Sequence, residues 1–186
     1  MKPRLYAWIA CAILFAGATV WLNYEVKVKI QSDGSSGGAQ QLGNLKVGQP
    51  APDFSAKDLA GHDVRLADYR GQKVVLIDFW ATWCMPCQMA MPGLQKMQDD
   101  FKDRGLEVLS VDQGEPSEQA GSFMKRKGYG FHVLLDTDSE IGDKYGVRAI
   151  PTLVAVDKAG VVRFIRVGYR PDDSDLRQVL EKIVKQ

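Results

Sequence analysis

From about residue 47 onward, short runs of apolar β-formers alternate with stretches whose apolar residues recur every three or four positions, the pattern of an α/β protein. Residues 74–79 (Val-Val-Leu-Ile-Asp-Phe) are almost continuously apolar, as expected of a central strand covered on both faces, and residues 108–111 form a second candidate strand. Between them Ala90, Leu94, Met97 and Phe101 share one face of a helix that starts near Cys84, so the unit predicts a right-handed parallel crossover. Residues 152–156 and 161–165 flank a short polar loop ending in Gly160 and read as an antiparallel hairpin, which makes the sheet mixed.

Leu176, Val179, Leu180, Ile183 and Val184 predict an amphipathic closing helix, and residues 171–174 (Pro-Asp-Asp-Ser) offer capping oxygens and negative charge for its start. Residues 54–69, around Gly61-His62-Asp63, predict an extra hairpin ahead of the central strand. Lys125, Arg126 and Lys127 suit the C-terminal end of a helix that begins near Ser117.

The N-terminus departs from this pattern. Residues 5–22 carry no formal charge and come after Lys2 and Arg4; as a helix they would extend roughly 27 Å, enough to cross a bilayer once. Trp8, Trp21 and Tyr24 suit the interfacial belt, and the basic start suits a cytoplasmic N-terminus, although Lys27 and Lys29 reduce the asymmetry. A cleaved signal peptide ending near Ala16-Gly17-Ala18 is the alternative, and both readings export the remainder of the chain. Cys11 is expected to be a small apolar residue of this segment. The expected organisation is a membrane anchor or signal segment at 1–24, a flexible linker at 25–44 and one globular domain at 45–186.

The 24 basic and 23 acidic residues are intermixed, which argues against nucleic acid as a partner. Three cysteines are too few for a disulfide-stapled scaffold, so attention falls on Cys84 and Cys87. They come directly after the central strand. Cys84 at a helix start would have its thiolate stabilised by free backbone N–H groups and the helix dipole, making it the attacking sulfur. Cys87, one turn on, can resolve the mixed disulfide that results. Pro86 fits the first turn, whereas Pro92 should kink the helix. Trp83 is expected to border the site and Met85 to touch substrate; Trp80 and Met97 are expected in the core.

Residues 78–87 (Asp-Phe-Trp-Ala-Thr-Trp-Cys-Met-Pro-Cys) resemble the active-site stretch of thioredoxins. Residues 50–54 (Pro-Ala-Pro-Asp-Phe), Pro92 five places after Cys87, and the N-terminal anchor are more similar still to the TlpA/ResA-like membrane-anchored oxidoreductases, over roughly residues 47–184. The resemblance implies a thioredoxin fold and dithiol–disulfide exchange with protein substrates outside the cytoplasm, such as apocytochrome c or metallochaperone thiols. It places the protein as a single-pass component of a bacterial inner membrane, its domain in the periplasm or otherwise outside the cytoplasm, drawing electrons from a membrane donor protein and needing no cofactor. It also implies that Ile150 and Pro151 form a cis-proline loop beside the cysteines that lends backbone groups to the partner chain, and that Asp78 lies buried under Cys87 as its proton exchanger. Two departures stand out: residues 106–112 lack the lysine that partners this acid in thioredoxins, and Ala90 stands where many TlpA/ResA-like proteins have glutamate, which leaves proton handling to Asp78 alone.

Other readings are weighed against this one. A zinc site would need about four ligands, and His62 and His132 are isolated in sequence, so no metal site is expected and neither histidine is assigned a role. A copper-binding thioredoxin-like metallochaperone would use the cysteine pair with a histidine such as His132. A peroxiredoxin-like thiol peroxidase shares the opening at 50–54 but lacks the Pro-x3-Thr-x2-Cys signature here.

Overall fold

The computed structural model describes residues 39–186. The apolar segment 5–22 and most of the expected linker lie outside them; among the described residues no helix is long and apolar enough to cross a membrane.

The structure is organised around β5 (Val74–Trp80), every residue of which is buried. β5 pairs in parallel with β6 (Leu106–Gln113) and antiparallel with β8 (Thr152–Val156). β7 (His132–Asp136) lies parallel to β6, and β9 (Val162–Val167) antiparallel to β8, completing the expected hairpin and the mixed sheet. The extra hairpin is present as β3 (Ser55–Asp58) and β4 (Asp63–Arg65), and β3 joins the sheet antiparallel to β7, so the order is β4-β3-β7-β6-β5-β8-β9. A 3-10 turn, Leu66–Tyr69, leads from the hairpin towards β5.

Regular structure appears before the boundary expected at residue 45. β1 (Gln41–Leu42) pairs with β2 (Leu45–Lys46), and Leu42 and Leu45 are buried in the core. The intervening Gly43, at φ +55°, lies against the backbone of Gly146, where a side chain would be both strained and crowded.

Side chains alternate across the pleat and build two cores. Val74, Leu76 and Trp80 of β5 join Leu106 and Val108 of β6 and Leu153 and Ala155 of β8 on one face, covered by α1 (Met85–Phe101), α2 (Ser117–Lys127) and α4 (Ser174–Ile183). Val75, Ile77 and Phe79 face the other way, with the N-terminal strands and α3 (Glu140–Tyr145). On α1 the predicted stripe of Ala90, Leu94, Met97 and Phe101 is buried, together with Cys87 and Met91. The helix continues through Pro92, whose missing N–H leaves the Gln88 carbonyl without its helical donor.

The start of α4 takes its capping oxygen from within residues 171–174, as expected, but not from the N-cap residue itself. Asp173, at its N-cap, makes no capping bond; its carboxylate is taken by the buried guanidinium of Arg166 on β9, which also reaches Asp175. The Ser174 N–H is satisfied by Asp172 instead, at 2.9 Å. A buried cation draws the nearest carboxylates, and the cap falls to the residue before.

Leu180 on α4 is fully buried, whereas Gln178 is exposed. Leu180→Ala is expected to lower unfolding free energy by about 2–5 kcal/mol, and Gln178→Ala to change it by less than about 0.5 kcal/mol, in denaturant titrations.

Candidate functional site

The site forms where β5 ends. Residues 81–83 lead from Trp80 to Cys84, which has an extended backbone and serves as N-cap of α1. Pro86 falls in the first turn, where no N–H is required. Cys84 and Cys87 are joined by a disulfide, with their Cα atoms 5.2 Å apart. The Cys87 N–H also donates to the Cys84 sulfur, at 3.2 Å, so a free helix-start donor is already directed at the atom that would carry charge once the bond is reduced.

Both cysteines are nearly buried, at 4% exposure for Cys84 and 1% for Cys87, but Cys84 is bordered by open apolar surface: Trp83 is 70% exposed, Met85 63% and Met89 54%. Pro86 is exposed beside them. Met89, one turn beyond Met85, belongs to this surface although sequence reasoning singled out only Met85; Met91 and Met97 lie in the core, and so does Trp80.

Pro151 is reached from β8. Phe79 pairs with Thr152, so Pro151 lies at the end of β5 from which the Cys84 loop departs. The Ile150–Pro151 peptide is cis, as expected. The Pro151 carbonyl accepts the Gly168 N–H at 2.7 Å, the Thr152 hydroxyl donates to the Ala149 carbonyl, and Ile150 is half-buried between the two cores.

Asp78 belongs to the β5 face that carries Leu76 and Trp80 and packs under α1 with Cys87. It is 1% exposed, and burial pushes its carboxyl up to about 7. In the parallel register Asp78 lies opposite Ser110, and Trp80 opposite Asp112. Of the seven buried side-chain N and O atoms without a partner among the described residues, five belong to these four residues. Sequence reasoning passed over Ser110 and Asp112. The signal was available, since the alternation that buries Leu106 and Val108 continues to 110 and 112 on the same face. Glu115, just past β6, was missed too: it accepts the backbone N–H and hydroxyl of Thr82, in the loop before Cys84.

The histidines converge elsewhere. His132 opens β7 on the face turned away from α1, where its ring meets the Tyr69 hydroxyl at 3.3 Å and Asp58 at 3.6 Å; His62, in the β3–β4 turn, contacts Asp58 at 3.1 Å. Neither is brought to the cysteines, and among the described residues no group of three or more His, Cys, Asp or Glu is placed to hold a metal ion.

Comparison with known proteins agrees with this architecture. Residues 47–165 match the AhpC/TSA family. Thiol-disulfide oxidoreductase ResA of Geobacillus thermodenitrificans is 39% identical over 75% of this chain and 79% of its own length, and ResA of Bacillus cereus is 36% identical over 87% and 86%. A crystal structure described as a thiol:disulfide interchange protein DsbE from Chlorobium tepidum superposes with a TM-score of 0.71 at 33% identity, covering 76% of this chain and 99% of that one. The chain belongs to the AhpC/TSA family, and within it is a protein-disulfide oxidoreductase of thioredoxin-like fold.

Proposed function

We propose that this protein reduces disulfides of exported proteins, with Cys84 as the attacking sulfur, Cys87 as the resolving one and Asp78 as the proton exchanger. The observation that carries this reading is the Cys84 sulfur at the first turn of α1, accepting the Cys87 N–H and bordered by exposed Trp83 and Met85. In the reduced protein the Cys84 thiolate attacks one sulfur of the client disulfide, and the other client sulfur leaves as thiolate. The Cys87 thiol then gives its proton to ionised Asp78 and attacks the Cys84 sulfur. The second client thiolate departs, and the Cys84–Cys87 disulfide forms. Two electrons pass to the client, and an external dithiol must return them.

Burial supports the role of Asp78. A carboxyl held near 7 is divided between its two forms at neutral pH, so it can accept a proton from Cys87 and give it back in the reverse step. Trp83, Met85, Pro86 and Ile150 supply the apolar rim for a client segment, and the backbone around cis-Pro151 supplies the polar contacts. The charge-free segment 5–22 supports anchorage in a bacterial inner membrane with the domain outside the cytoplasm, and the proposed electron donor is a protein of that membrane; apocytochrome c and metallochaperone thiols are the proposed clients.

Cys87→Ser is expected to accumulate mixed disulfides through Cys84 on non-reducing gels, and the additional change Cys84→Ser to abolish them. Equilibration of the wild-type pair against dithiothreitol should give a reduction potential near that of thioredoxin, about -270 mV; a value near -120 mV would make the protein an oxidant, and peroxide turnover faster than disulfide reduction would make it a peroxidase. Membrane fractionation after alkaline extraction is expected to retain the full-length chain in the pellet and to release a chain lacking residues 1–24.

Asp78→Asn should slow the resolving step by about 10²-fold or more. It should also stabilise the oxidised fold. An acid raised from its ordinary range to about 7 favours folding at low pH, and that contribution is lost as pH rises from about 4 through about 7. Denaturant titrations should therefore show the Asn variant gaining up to about 4 kcal/mol over wild type near pH 8, and almost nothing near pH 3.

A further inference from the structure

Behind the loop that carries Thr82 and Trp83 lies a pair of carboxyl groups that the exchange reaction does not use. Asp112, near the end of β6, is fully buried, and no side-chain amide or cation donates to either of its oxygens. Glu115, three residues on, is 4% exposed and accepts three donors: the Thr82 N–H, the Thr82 hydroxyl at 2.7 Å and the Gln119 amide. Of the acids around Asp112, Glu115 pushes its carboxyl upward most. Two neighbouring carboxyl groups share a hydrogen bond when one holds a proton and repel when both are ionised. Glu115 accepts three donors, whereas the one donor near Asp112 is the Glu115 backbone N–H, so the shared proton belongs on Asp112.

We propose that Asp112 is a positioning residue of the redox centre: its carboxyl proton bonds to Glu115, and Glu115 so held fastens Thr82 and, through residues 81–83, sets Cys84 at the start of α1. This rests on the reading of Cys84 as the attacking sulfur. The loop is tied to the helix it precedes, since the Cys84 N–H donates to the Ala81 carbonyl at 3.1 Å and the Gln88 amide to the Thr82 carbonyl at 2.8 Å. Movement of Thr82 therefore reaches Cys84.

Burial first, then the adjacent Glu115, hold the Asp112 carboxyl well above the usual range. The other ionisable groups around it are also acids. Asp136 of β7 adds to the upward push, and its own oxygens are occupied by the Ile141 and Gly142 N–H groups and the Gln113 amide. Asp78 lies one pleat back on β5. From α2 come Gln119 and the exposed Glu118, and α1 has no charged residue before Lys96. None of these is a cation, so loss of the Asp112 proton leaves two neighbouring like charges and loosens the grip on Thr82.

The test is a single turnover of the reduced full-length chain against a disulfide peptide between about pH 5 and pH 10. The wild-type rate is expected to fall on the alkaline side. Asp112→Asn, which keeps a donor and cannot ionise, should match wild type at acidic pH and lack that fall. Asp112→Leu, which keeps no donor, should be slower by about tenfold or more throughout. Coincident wild-type and Asn profiles overturn the proposal, as does a Leu variant that melts cooperatively and reacts at the wild-type rate; if the Leu variant does not fold, the wild-type and Asn profiles decide. Turnover that survives Cys84→Ser overturns the reading of the cysteine pair itself.

Discussion

Burial of β5 on both faces is the constraint on which the rest of the structure depends. A strand with no exposed residue needs a layer above and a layer below, and the two hydrophobic cores supply them. It also means that any polar side chain within the strand is taken out of water, as Asp78 is. The chain must then leave the sheet at Trp80 and turn at once into the helix that covers one of those faces. Cys84 stands at that turn, so the packing that stabilises the domain also directs a helix-start N–H, that of Cys87, at its sulfur.

The sequence made this core legible because its signals were strong and local. The apolar run at 74–79, the stripe on α1 and the hairpin around Gly160 each depend on residues close together in the chain, and each appears where periodicity placed it. The cysteine pair was legible for the same reason. What escaped were relations between distant segments. Which carboxylate of the 171–174 stretch does the capping could not be read locally, since Arg166 on β9 takes that of Asp173 and leaves the cap to Asp172. Gly43 and Leu42 looked like linker until Gly146 and the core on the Val75, Ile77 and Phe79 face gave them something to pack against. Glu115 had no local signature, since its importance comes from Thr82, thirty-three positions away.

The missed polar residues share a physical feature. Ser110 and Asp112 extend the buried face of β6 beyond its apolar part and complete, with Asp78 and Trp80, a polar block in an otherwise hydrophobic layer. Polar groups left without partners in such a layer cost stability, on the order of 1–3 kcal/mol each. A fold that retains several of them in the layer beneath its cysteine pair gives up stability there rather than elsewhere in the core.

The β3–β4 hairpin has a consequence for the company this protein keeps. Without it β7 would end the sheet with an open row of backbone donors and acceptors; with it the sheet ends at the three-residue β4, where Asp63 and Arg65 point to solvent. At the opposite margin, residues 48–51 cover the beginning of β9 through backbone bonds to Val162 and Gly160. Short, charged or covered margins resist strand addition by foreign chains. A protein-disulfide oxidoreductase, whose substrates bring backbone of their own close to it, can then meet them at its sulfur-bearing surface rather than along an open strand.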